Sequence, residues 1–165
     1  MTQQRILIAC IGNIFMGDDG FGVEVARRMI GRPLPEGVTL KDFGIRSYDL
    51  AYAMLDPYEL IILVDACSRG GDPGTVYLIE PETLEQAPAH PDAHSMNPVS
   101  VLHMVKSMGG PSGKVLIVGC EPADLGMDEE GKMGLTEHVA GAVEEAVKLI
   151  EKLVGEPIEA TAQMR

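Results

Sequence analysis

Leu60-Ile61-Ile62-Leu63-Val64-Asp65 is the most apolar stretch of the chain, and it ends on a carboxylate. Five consecutive aliphatic residues, mostly β-branched or flanked by such residues, read as a strand buried on both faces and therefore central in a sheet. An Asp at the mouth of a buried strand needs a partner, because leaving its charge unpaired there is costly. Working outward, residues 5–11 (RILIACI), 38–43 and 114–118 read as further buried or half-buried strands. Residues 18–31, 48–55, 99–108 and 135–154 read as helices. The first is closed by Pro33 and Pro35, and the second is stopped by Asp56-Pro57. The last helix carries an apolar stripe of Leu135, Val139, Ala142, Val143, Ala146, Ile150 and Leu153, with Glu144 and Lys148 spaced to pair.

Strands alternating with helices predict an α/β sandwich around a mostly parallel sheet. Residues 75–79 form one more strand. The turn-rich loop before it is too short for a crossover helix, so if it pairs with its predecessor it runs antiparallel. Residues 80–98 are polar and rich in proline, a long connection of the kind that carries function. One domain over residues 1–154 is expected, with 155–165 as a flexible tail.

The chain has 165 residues and a net charge of −12. That balance argues against nucleic acid, which needs a basic stripe. It suits a metal or a basic peptide as partner, or solubility alone. No segment reaches the length of a membrane helix, and the amino-terminal residues lack the pattern of a signal peptide, so a cytoplasmic protein is expected. Three separated cysteines make neither a disulfide framework nor a structural zinc site.

In open α/β sheets ligands bind at the carboxyl ends of the strands. This directs attention to residues 13–22, 43–47, 65–71 and 119–126. The first loop holds Asp18 and Asp19 among Gly17, Gly20 and Gly22. One Asp there is a natural helix cap. Two, with glycines in the costly first turn, suggest that something approaches the backbone closely. The loop has no GxGxxG, and its acids would repel a pyrophosphate. Among the histidines, His90 and His94 lie four apart, but Pro88 and Pro91 argue against a helix and the HExxH glutamate is missing. His94 sits in the long loop, free to reach the sheet edge. His103 and His138 fall in helices. Cys67 is more simply a small filler than a ligand or nucleophile, and no GxSxG elbow exists. Two carboxylates and an imidazole would make a hard-to-borderline metal site compatible with nickel, iron, zinc or manganese.

The ordered set of motifs resembles the nickel–iron hydrogenase maturation endopeptidases. It comprises Gly12-Asn13 followed by Asp18-Asp19-Gly20-x-Gly22, Asp42-Phe43-Gly44-Ile45-Arg46 with Asp49-Leu50, and Val64-Asp65-Ala66. It continues with His94-Ser95-Met96-Asn97-Pro98, Gly119-Cys120-Glu121-Pro122 and Gly134-Leu135-Thr136. The resemblance spans about residues 5–153. It implies a three-layer α/β/α fold with a five-stranded mixed sheet. It also implies a substrate, the hydrogenase large-subunit precursor already carrying nickel, from which a C-terminal extension is removed. The family's metal-reading and catalytic positions map onto Asp19, Asp65 and His94. Asp19 stands where some relatives carry Glu, and Asp18 becomes the helix cap. The nickel is expected to arrive inside the substrate, leaving no resident metal in the resting enzyme, which is expected to be a monomer. Two other classes compete: a generic metal-dependent hydrolase, and a receiver-like phosphoacceptor module. The second would need a Lys after the last strand, where Cys120-Glu121-Pro122 stands.

Overall fold

The computed structural model describes residues 4–81, 97–126 and 131–156. Five strands form one sheet: β1 (Ile6–Ile11), β2 (Val38–Gly44), β3 (Leu60–Ala66), β4 (Val76–Ile79) and β5 (Lys114–Cys120). Among the described residues, four α-helices accompany them: α1 (Phe21–Met29), α2 (Ser47–Ala53), α3 (Pro98–Ser107) and α4 (Glu137–Gly155). The strand order is β2-β1-β3-β5-β4. All neighbours are parallel except β4, which runs antiparallel to β5. The antiparallel strand is thus the one expected. Its partner is β5 rather than the preceding β3, because β5 inserts between them.

Alternation along the strands sorts the core into two layers. Ile6, Ile8 and Cys10 of β1, Leu60, Ile62 and Val64 of β3 and Leu116 and Val118 of β5 pack under α1 and α4. The intervening Leu7, Ala9, Ile11, Ile61, Leu63 and Ile117 pack under α2 and α3. A strand covered on both faces is apolar along nearly its whole length, and β1 and β3 are buried throughout apart from the last residue of β3, with Asp65 as the buried charge near its end. The result is the three-layer α/β/α sandwich.

The amino end of α1 departs from the expected continuous helix. Gly17–Gly20 forms a 3-10 turn, and the α-helix begins only at Phe21. Gly22 explains the tight fit. A Cβ there would lie 2.2 Å from the Ile11 carbonyl oxygen and 2.4 Å from that of Val64. The close approach anticipated for these glycines is therefore made by the protein's own strand ends. Between α1 and α4, Glu144 turns to Arg28 and Arg32, at 3.0 and 2.9 Å, in place of the anticipated Lys148. α3 opens with Pro98 in its first turn and with the Asn97 side chain accepting the Ser100 N–H at 2.9 Å.

Candidate active site

From β1 the chain steps outward to β2, then returns past β1 to β3. The loops after β1 and β3 consequently diverge at a topological switch point on the carboxyl edge of the sheet, the place where open α/β sheets bind ligands. Asp19 comes from the first of these loops and Asp65 from the end of the second strand. They are close enough that the charge of Asp19 acts on Asp65. Asp65 is 1% exposed, and its Oδ1 accepts the N–H of Ala66 at 2.8 Å. Burial first, and the Asp19 charge second, push its carboxyl well above the ordinary range, against the pull of the Ala66 bond. Asp19 is half-buried, and its Oδ2 accepts the Asn13 N–H at 3.0 Å. Burial raises its carboxyl too, with the Asn13 bond opposing. Two carboxylates so placed favour a shared proton or a bound cation, either of which relieves the repulsion.

Asp18 has a different job from its neighbour. It is fully buried and does not cap its own helix. Its Oδ2 accepts the N–H groups of Ala123 and Asp124 at 2.8 and 2.9 Å and the Thr136 hydroxyl at 2.8 Å. Its Oδ1 accepts the Thr136 N–H at 2.7 Å. This corrects the expectation of a helix cap: the carboxylate staples the first loop to the β5–α4 connection. Its own N–H reinforces the link by donating to the Asp124 carbonyl at 2.8 Å.

A third buried carboxylate, Glu121, was read from the sequence only as part of a motif. Its Oε1 accepts the N–H groups of Arg69 and Gly71 and the Tyr77 hydroxyl, at 2.8, 2.9 and 2.8 Å. The Arg69 guanidinium lies over the Tyr77 ring at 5.7 Å. Glu121 thereby holds the loop that follows Asp65. Although burial alone would raise its carboxyl, these donors outweigh it and lower it. Its signal in the sequence was an acid directly after a buried strand.

Cys67 is nearly buried between these features, and burial followed by the Asp65 charge pushes its thiol far up. A buried thiol held protonated in this way is a poor nucleophile. His94 and His90 lie outside the described residues. His103 and His138 are exposed on α3 and α4. Among the described residues, no group of three His, Cys, Asp or Glu side chains is placed to hold a metal ion. Asp19 and Asp65 stand together as a pair.

A family model described as the hydrogenase maturation protease HycI matches residues 23–153. The chain belongs to the hydrogenase maturation protease family. It is 33% identical over 152 residues to a protein of Methanocaldococcus jannaschii provisionally named a hydrogenase maturation protease, covering 91% of this chain and 96% of that one. It is 28% identical to the hydrogenase 2 maturation protease of Escherichia coli, covering 88% of each. Among solved structures, the hydrogenase maturating endopeptidase HybD of E. coli superimposes with a TM-score of 0.73 at 27% identity, over 89% of this chain and 90% of that one. A hydrogenase 2 maturation peptidase from a thaumarchaeal archaeon gives 0.65 at 31% identity, over 92% and 99%. The chain is accordingly a peptidase. Membership also answers one of the two competing readings, since a phosphoacceptor module has no place in a protease family.

Proposed function

We propose that this chain removes the C-terminal extension of a nickel-loaded hydrogenase large-subunit precursor, and that Asp19, Asp65 and His94 read the nickel. The observation that carries the reading is the Asp19–Asp65 pair at the switch point. Burial raises both carboxyls, and the charge of Asp19 raises that of Asp65 further, which is a costly arrangement. A cation delivered by the substrate would offset that cost. A precursor without nickel lacks the contact and is rejected, which is specificity by a missing partner. The donor chemistry fits: carboxylate oxygens and an imidazole leave coordination positions open for an ion that substrate thiolates still hold. On this reading the chain works in the cytoplasm and the nickel arrives with the substrate. Among the described residues no helix is long and apolar enough to cross a membrane.

Hydrolysis needs water to add to the scissile carbonyl, with a proton removed from the water and one delivered to the leaving amine. The ionised member of the carboxylate pair takes the first proton and returns it to the amine. The nickel, as substrate, supplies the positive charge near which the tetrahedral oxygen develops.

The test is a cleavage assay on a large-subunit precursor prepared with and without nickel. Shortening of the loaded form alone is expected. Equal cleavage of both forms overturns recognition through nickel. Metal analysis of the purified chain separates the alternative: a tight stoichiometric ion would mark a generic metal-dependent hydrolase instead.

A further inference from the structure

Six large apolar side chains are exposed among the described residues: Phe15, Ile30, Ile45, Tyr48, Tyr52 and Met133. Scattered exposure of this kind is ordinary, but these are not scattered. Phe15 lies in the loop after β1, four residues before Asp19, and is 60% exposed. Met133 is 68% exposed in the connection leading to α4. The two segments are tied directly, since the Phe15 carbonyl accepts the Lys132 N–H at 2.8 Å. Ile45 and Tyr48, 62% and 68% exposed, lie in the loop after β2 and the first turn of α2. That loop is tied to the first by the Gly12 N–H, which donates to the Gly44 carbonyl at 3.0 Å. Tyr52 follows one turn after Tyr48. Only Ile30, past the far end of α1, belongs to the opposite edge of the sheet.

We infer that Phe15, Ile45, Tyr48 and Met133 form an apolar rim around the Asp19–Asp65 pair that seats an extended, apolar-rich peptide segment of the precursor beside its scissile bond. The inference rests on the peptidase reading above and deepens it by naming what the enzyme grips besides the metal. Exposed apolar side chains gathered at one edge mark an interaction surface. Their loops are hydrogen-bonded side by side with the loop that carries Asp19, so the surface is continuous with the catalytic edge. A second copy of the chain seated there would cover the carboxylates and shut out substrate, which disfavours it as the resident partner. Large rigid side chains such as Phe and Tyr also seat a partner at low entropic cost.

The measurement is steady-state cleavage of a nickel-loaded large-subunit precursor by Phe15→Ser, Ile45→Ser, Tyr48→Ser and Met133→Ser, with Ile30→Ser as control. All five side chains are solvent-exposed, so the variants should melt like the parent. Each rim variant should raise KM about tenfold, the loss of one large apolar contact, with kcat within about twofold. Ile30→Ser should match the parent. Rim variants with parental KM, or an Ile30→Ser as impaired as they are, would overturn the rim while leaving the peptidase reading intact. A parent protein inert on every loaded precursor would overturn the peptidase reading and the rim with it. Rim variants that turn a dimer into a monomer by sedimentation with KM unchanged would assign the surface to a second copy and overturn the peptide.

Discussion

The Asp18 carboxylate accepts the backbone N–H of Thr136 at 2.7 Å, across 118 positions of chain. The very next residue, Asp19, instead accepts the Asn13 N–H at 3.0 Å and lies where its charge acts on Asp65. Two adjacent acids thus differ: one fastens the loop to the β5–α4 connection, and the other faces the end of β3.

Replacing Asp18 should reveal the fastening. Asp18→Ala strands the N–H groups of Ala123, Asp124 and Thr136 and should cost about 3–5 kcal/mol. Asp18→Asn keeps one acceptor oxygen but turns an amide toward donors, and should still cost about 2 kcal/mol or more. Urea unfolding measures both. A loss below about 0.5 kcal/mol for Asp18→Ala would mean that the staple contributes little.

Asp65 should trade stability for function. Its carboxyl is raised in the folded state, so the folded chain binds more protons than the unfolded one above the ordinary aspartate value. Stability from this group is fully present below that value and is lost as pH rises toward the raised one. Asp65→Asn, which keeps an acceptor for the Ala66 N–H, should therefore melt higher than the parent at pH 7, with the gap closing on acidification. It should also abolish precursor processing, as should His94→Ala. Processing at the parental rate by either variant would sink the site.

Glu121 should behave oppositely. Its carboxyl is lowered by the donors around it, so its contribution is present above the ordinary value of 4.5 and fades as pH falls through the lower folded one. Glu121→Gln should lose about 1–3 kcal/mol at pH 7 and flatten the acid limb of the stability profile. An unchanged acid limb in thermal melts from pH 7 to pH 3 would contradict this.

Two glycines give a steric contrast. Gly22→Ala forces a methyl onto the carbonyls of Ile11 and Val64 and should cost about 3 kcal/mol. Gly141→Ala, in the open face of α4, should stabilise by about 0.5–1 kcal/mol. Melting both variants decides it, and a neutral Gly22→Ala would show that α1 can shift.

Much of this molecule could be read from its residues alone. The runs at residues 5–11, 60–64 and 114–118 are apolar at nearly every position, and only strands covered on both faces satisfy that, so the sheet and its helical layers followed. Asp65 was legible because a charge ending such a strand needs a reason, and Asp19 because its loop lies at the same edge. The tertiary structure decided what local pattern does not encode. It placed β5 between β3 and β4, since pairing partners are chosen across the whole sheet. It separated Asp18 from Asp19, because the donors that claim Asp18 lie more than a hundred residues away. It also gave Glu121 its three donors and brought the loops of Phe15, Ile45 and Met133 side by side, since only folding brings together loops distant in sequence.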